Sequence, residues 1–375
     1  MIYKDFHGLK LSALGMGAMR LPVTGADASS PIDEAAAAEM GEYAIKHGIN
    51  YFDTAYGYHE GKSEIVMGKI LAKYPRESFY LASKFPGFDL DKVERPAEIF
   101  EEQLKKCNVE YFDFYLFHNV CDRNIDWYLD PKYGIMDYLL KEKEAGRIRH
   151  LGFSAHASLE DMKRFLDAYS EHLEFVQIQL NYLDWKLQQA KEKVDLIRSY
   201  NLPVWVMEPV RGGKLAALSG ENTKKLQALR PDRKAPEWAF RFLQTIPEVT
   251  MTLSGMSNMQ QLQDNIQTYE TLQPLNEEEM TVLQEVADSM MNILPCTSCR
   301  YCVSECPQEL DIPTLMNLYN DTVFETTAKD ALAKAAALPA EKQPSSCVGC
   351  RSCEQKCPQK IRISEVMTAL AEKMG

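Results

Sequence analysis

The sequence lacks several things, and each absence excludes a class of function. No uninterrupted apolar run approaches the ~18 residues of a membrane span, so no membrane partner is expected. The stretch from Met1 to Lys10 carries Asp5 and His7 and no apolar core, unlike a secretory leader. Basic residues are outnumbered: 42 Lys and Arg against 54 Asp and Glu leave a net charge of −12. Nucleic-acid binders show the opposite balance, so no nucleic-acid partner is expected. Gly15 and Gly17 have no third glycine after them, which makes them a weak fragment of a phosphate-binding loop. Cysteine is almost missing before position 296, where only Cys107 and Cys121 occur; both read as buried or partly buried thiols. The other eight crowd into positions 296–357. A disulfide framework would not be confined to one end, so a reducing, cytoplasmic setting with a local metal site is expected.

What is present is ample for a core. The 375 residues are 45% hydrophobic and 26% charged, enough for two domains or one barrel with an appendage. Continuous apolar runs read as strands buried on both faces at Leu11–Met16, Asn50–Thr54, Phe79–Ser83, Phe112–Phe117, His150–Ser154, Phe175–Leu180, Pro203–Met207 and Val249–Leu253. Helical patterns alternate with them: Asp33–His47, Lys62–Lys73, Arg95–Lys106, Lys132–Ala145, Leu159–Ala168, Trp185–Ser199, Ala235–Gln244 and Met259–Thr268. Eight strand–helix alternations favour a (β/α)₈ TIM barrel, an α/β fold, over a doubly wound sheet. Asn276–Met291 reads as one further helix, which sets a division into residues 1–290 and 291–375.

Beyond Pro295 the composition changes. Cys296, Cys299, Cys302 and Cys306 precede Pro307; Cys347, Cys350, Cys353 and Cys357 precede Pro358. Both copies have the spacing C-x₂-C-x₂-C-x₃-C-P, and both continue to an isoleucine, Ile312 and Ile363. Three cysteines at intervals of three wrap a cubane, and the fourth is free to reach a second cluster. Zinc sites usually present two separated pairs, so zinc is the weaker reading. Ile312–Tyr319 and the Ala-rich Lys329–Ala340 read as helices between the copies. The pattern resembles the two-cluster ferredoxins, and its helical spacer resembles their α-helical modules. That resemblance implies one 4Fe–4S cluster on Cys296, Cys299, Cys302 and Cys357, and another on Cys347, Cys350, Cys353 and Cys306.

In the barrel, Asp53, Lys84 and His118 each follow or end an apolar run, with Tyr58 five residues beyond Asp53. Barrel chemistry sits at strand C-termini. One at a time, an Asp is a turn residue, a Lys a solvated end and a His a core filler; together at matched ends they read as a site. Their chemistry is proton transfer. A phenol near pKa 10 is a poor base, and an adjacent ammonium such as Lys84, held by Asp53, lowers that pKa. Tyr58 then protonates the oxygen of a carbonyl that accepts hydride, and His118 hydrogen-bonds that oxygen.

The run Asn50-Tyr51-Phe52-Asp53-Thr54-Ala55-Tyr56-Gly57-Tyr58 is similar to a signature of the aldo/keto reductases. Lys84 and His118 match the rest of that family's tetrad, and Gly146-Arg147-Ile148-Arg149-His150-Leu151-Gly152-Phe153-Ser154 resembles its fifth-strand motif. The resemblance covers nearly all of residues 1–290. It implies a barrel that binds NADPH or NADH without a Rossmann motif. It implies Ser154 and Gln177 at the nicotinamide carboxamide, with Ala155 where the family usually has Asn. Met207 stands where a stacking Tyr is usual, and Arg211 lies in the loop along the pyrophosphate. Gly17, Gly255, Ser257, Gln261 and Asn265 fall in phosphate- and adenosine-end positions, without the Lys and Arg that grip a 2′-phosphate. Phe85, Trp127 and Tyr128 are candidate substrate-pocket residues.

The expected function is an NAD(P)H-linked oxidoreductase that interconverts a small carbonyl compound and an alcohol, with two 4Fe–4S clusters for electron transfer. The alternative is an electron-transfer or redox-sensing protein whose clusters serve a protein partner.

Overall fold

The computed structural model describes residues 1–25, 30–218, 220–291, 293–323 and 325–375. An antiparallel hairpin, β1 (Tyr3–Phe6) and β2 (Leu9–Ser12), opens the chain. Eight parallel strands then close into a barrel: β3 (Leu14–Gly17), β4 (Tyr51–Asp53), β5 (Tyr80–Phe85), β6 (Phe112–Val120), β7 (Ile148–Ala155), β8 (Phe175–Gln179), β9 (Val204–Met207) and β10 (Val249–Gly255). β10 bonds to both β9 and β3, which completes the ring. The hairpin plugs the N-terminal mouth. Phe6 meets Trp205 at 5.0 Å and Phe114 at 5.6 Å, joining an inner core with Leu11, Tyr51, Phe175 and Leu253.

The run at Leu11–Met16 is therefore two strands, not one. It breaks at Ala13, where the chain leaves the plug and enters the wall. Ser12 fixes the corner: its amide bonds Asn50 Oδ1 at 2.8 Å and its hydroxyl bonds the Leu14 carbonyl at 2.8 Å. Gly15 faces the core. A Cβ there would stand 2.8 Å from Leu253 Cδ2 and 3.0 Å from Met251 Sδ, so close packing accounts for this glycine.

Helices cover the barrel much as the periodicity implies; Ala235–Gln244 and Met259–Thr268 match residue for residue. Two differ because one residue turns left-handed. Gly134 (φ 59°) delays the helix expected from Lys132 until Ile135. Gln189 (φ 52°) splits the one expected over Trp185–Ser199 into Asp184–Leu187 and Ala190–Ser199. A helix at Gly220–Leu229 was not foreseen; its polar, charged sequence buries only Asn222 and Leu226. Glu277–Ser289 starts on a capping box between Asn276 and Glu279, and buries Leu283, Val286 and Ala287. The barrel's core runs on through Met290 and Ile293.

A separate core gathers Leu310, Ile312, Leu315, Met316, Ile361, Ile363, Met367 and Leu370. Its helices are Ile312–Asp321, Glu325–Ala336 and Ile363–Met374. The Ala-rich helix starts earlier than expected and stops before Pro339. Among the described residues, no helix is long and apolar enough to cross a membrane.

Candidate active site

The residues expected to carry chemistry lie at one end of the barrel. Asp53 is the last residue of β4 and Lys84 the last but one of β5. β6 runs to Val120, so His118 lies within its strand rather than after it. Lys84 is fully buried, and its Nζ donates to Asp53 Oδ1 at 2.6 Å and to the Thr54 carbonyl at 2.7 Å. Burial pushes Lys84 and Asp53 each toward its neutral form, and each partner's charge pushes the other back. The same Nζ lies 4.9 Å from the ring centre of Tyr58. The Tyr58 and His118 rings meet edge-on at 5.9 Å.

One expectation needs correction. Tyr58 is not a phenol softened by Lys84. Burial, then the charges of Asp53 and Glu208, raise its pKa well above the ordinary value, against a smaller opposing effect of Arg20. Both Lys84 hydrogen bonds go elsewhere, and Asp53 offsets its charge. Tyr58 is thus held as a protonated phenol. Burial and the nearby Lys84 push the His118 pKa well below its usual value, so that ring is neutral.

A cleft of about 1290 Å³, counted out to its open mouth, lies over these groups. Its wall includes Gly17, Asp53, Tyr58, His118, Ser154, Gln177, Met207, Gly255, Ser257, Gln261 and Asn265. Ser154 Oγ accepts the Asn119 amide at 2.8 Å, and Gln177 Nε2 donates to Met207 Sδ at 3.6 Å. Gln177 Oε1, Asp53 Oδ2 and Glu208 Oε2 are buried without hydrogen-bond partners. Orphaned acceptors of this kind are costly in an empty cleft and fit a polar ligand such as a nicotinamide carboxamide. The helix Met259–Thr268 opens on Asn258, whose side chain accepts from Gln261 at 2.9 Å; Ser257 Oγ donates to the Arg20 carbonyl at 3.0 Å.

Two expected residues do not reach the cleft wall. Lys84 lies beneath Asp53. Arg211 is fully buried, with Nε 3.4 Å from Asp184 Oδ1. Left-handed turns at Glu208, Arg211, Gly212 and Gly213 fold that loop back and carry the guanidinium inward. Phe85 and Tyr128 belong to the core, and Trp127 packs against it. The Tyr128 hydroxyl is occupied by the His118 carbonyl at 2.8 Å.

Arg20, His156 and the first cysteine loop were not foreseen at the cleft, and Glu208 only as part of the loop after β9. Arg20, Glu208 and His156 line the cleft, and so does the first cysteine loop, through Thr297, Cys299 and Tyr301. Arg20 ties the two domains: its Nη2 donates to the Thr297 carbonyl at 2.9 Å and lies 3.4 Å from Glu208 Oε1. Gln359, next to Cys357 and Pro358, donates to Gln179 Oε1 of β8 at 2.8 Å.

The cysteine loops repeat in backbone as well as in sequence. Left-handed residues occur at Ser298, Arg300 and Glu309 and, 51 positions later in each case, at Gly349, Arg351 and Lys360. Such turns aim successive amides inward and favour an anionic centre. Cys296, Cys299, Cys302 and Cys357 line one cavity together with Ile312, Pro313 and Met316. Burial, with the charges of Cys357 and Cys296, pushes the Cys299 thiol up to about 12, although the Tyr301 amide pulls the other way. Burial likewise raises Cys353 to about 12, with Cys306, Cys347 and Cys350 among the charges it feels. Cys302 feels Cys353 as well, so the two groups are neighbours. Thiols crowded and buried like this become good thiolates when a metal takes their charge. Four such thiols about one cavity are the donor set that a 4Fe–4S cluster takes.

Closed parallel barrel, buried tetrad and cysteine repeat together define an oxidoreductase with an iron–sulfur appendage. Residues 13–288 match the model of the aldo/keto reductase family, and residues 295–361 that of a 4Fe-4S dicluster domain. The chain belongs to the aldo/keto reductase family. It is 31% identical over 215 residues to probable aldo-keto reductase 1 of Glycine max, spanning 55% of this chain and 58% of that protein. It is 24% identical over 290 residues to the NADH-specific methylglyoxal reductase of Escherichia coli K12, spanning 66% and 86%. The holo form of an aldo-keto reductase from Bacillus halodurans superposes with a TM-score of 0.62 at 26% identity, over 76% of this chain and 96% of that one.

Proposed function

We propose that the barrel is an NAD(P)H-linked reductase of small aldehydes or ketones, running also as an alcohol dehydrogenase, and that residues 291–375 carry two 4Fe–4S clusters for electron transfer. The observation that carries the reading is the buried Lys84–Asp53 pair beneath Tyr58, across the cleft from the unpaired Gln177 carbonyl oxygen. Ser154 and Gln177 would hold the carboxamide, with Met207 beside the ring. Gly17, Gly255, Ser257, Gln261 and Asn265 would line the phosphate and adenosine end. Bound there, a reduced nicotinamide supplies hydride to a carbonyl carbon. Tyr58 Oη then gives its proton to the carbonyl oxygen, and the raised pKa keeps that proton available at neutral pH. Neutral His118 orients the same oxygen by a hydrogen bond. Asp53 holds Lys84 charged, and its own charge helps keep the proton on the Tyr58 phenol.

Cys296, Cys299, Cys302 and Cys357 would hold one cluster, and Cys347, Cys350, Cys353 and Cys306 the other. Such clusters supply single electrons. Cys299 on the cleft wall favours a second reading, in which the barrel binds nicotinamide and the clusters serve a redox protein partner. Anaerobic holoprotein, assayed with NADH and NADPH on an aldehyde and ketone panel, separates the two. Turnover supports the reductase. Nucleotide binding without turnover on any carbonyl moves the assignment to the second reading.

A further inference from the structure

The substrate end of the cleft is built by both domains. Thr297, Cys299 and Tyr301 alternate along the first cysteine loop, and all three line it. The Tyr301 ring stacks with Phe88 of the β5 loop at 6.5 Å and 24°. Phe88 meets His118 edge-on at 5.6 Å, and His118 meets Tyr58 edge-on at 5.9 Å. Four rings thus run in sequence from the proposed acid to the cysteine loop. Half-buried Tyr301 lines the same cleft as Tyr58, Cys299 and Glu208, which puts it on the same side as the chemistry.

We propose that this wall binds planar, conjugated carbonyl compounds, aryl ketones being the simplest, and that Tyr301 selects them. The proposal rests on reading the barrel as a carbonyl reductase. Flat rings stack in offset or edge-on pairs with centres about 4.5–7 Å apart, and such pairs add to ordinary apolar burial. A puckered saturated ring of equal size gains the burial alone. A second observation points the same way. Cys299 borders the cleft that holds Tyr58. A conjugated carbonyl can accommodate a single electron, the unit that an iron–sulfur centre exchanges, and a saturated ketone cannot do so readily.

Acetophenone and cyclohexyl methyl ketone have the same carbon count and differ in flatness. Their binding to anaerobic holoprotein is measured by equilibrium dialysis with NAD⁺ present, so that neither is reduced. The expected preference for acetophenone is about three- to tenfold. Tyr301→Leu should abolish it and Tyr301→Phe should keep it. Phe88→Leu, which changes no residue of the cysteine loop, should also abolish it. Iron content is checked for each variant. Equal affinities in the wild type, or a preference that survives both leucine variants, would overturn the proposal. The underlying reading fails separately: no turnover of either ketone, with a preference that still depends on Tyr301, removes the reductase and keeps the site. Turnover without the preference does the reverse.

Discussion

Tyr58 keeps its proton because burial and two carboxylates, Asp53 and Glu208, all oppose a phenolate. An acid with a raised pKa is fully protonated below its ordinary value near 10. Carbonyl reduction should therefore show no loss from Tyr58 deprotonation between pH 6 and 9; a fall centred near 7 would assign the acid to another group. Tyr58→Phe should lower kcat by about 10²–10⁴-fold and leave nucleotide affinity nearly unchanged, measured by titration, because the residues proposed to hold the nucleotide lie on other strands. Lys84→Met differs in kind. It strands Asp53, which is 3% exposed, without its cation. Breaking a buried pair costs about 3–5 kcal/mol. Lys84→Met should thus lose denaturant stability as well as activity, whereas Tyr58→Phe should lose activity alone.

At the level of elements, the junction of barrel and cysteine loop is tight at one point. Gly212 has φ 62°, and a Cβ there would come within 2.2 Å of the Thr297 carbonyl. Gly212→Ala should cost about 1–2 kcal/mol from the left-handed backbone alone, before the clash is added. Urea unfolding reads the cost, and faster iron loss in air should report the loosened loop. The strands, and the meeting of Asp53, Tyr58, Lys84 and His118 at one barrel end, were legible in the sequence because strands buried on both faces write continuous apolar runs, and strand ends fix where polar residues gather. Less legible were features set by single backbone angles. Gly134 and Gln189 cut helices that periodicity runs together, and Glu208 with Gly212 turns Arg211 away from the cleft into the core. Least legible was the contact between domains. Periodicity reports which face of an element is buried, not which distant segment covers it. Arg20 and Thr297 meet across 277 positions with no local pattern to announce them.

Across the whole molecule, the arrangement of thiols predicts iron content. Anaerobic protein should carry about eight irons per chain, four for each Cys₄-bound cluster. Cys296→Ser should damage the cluster beside the cleft, and Cys347→Ser the other, each seen as partial loss of iron and of visible absorbance. Two zinc ions per chain would contradict this. The consequences for electron flow differ between the two clusters. Cys350 is exposed and Cys299 borders the cleft, while Cys302 and Cys353 lie between them. That order makes a path from the surface to the cleft, but nicotinamide gives electrons in pairs and each cluster takes one. With no flavin motif in the chain, the mismatch leaves the clusters three sources or sinks: a radical on the substrate, a flavin bound in the cleft, or a protein partner. Anaerobic NADH or NADPH, added without substrate and followed by visible and EPR spectra, tells them apart. We expect slow or no bleaching with nucleotide alone, because no carrier that takes an electron pair and passes it on singly is then present, and faster bleaching once a free flavin is added, which is reduced by the nucleotide and gives one electron to each of two clusters. Normal carbonyl reduction by a variant that lacks both clusters, with no bleaching under either condition, would leave the cysteine domain as the wall of the cleft and nothing more.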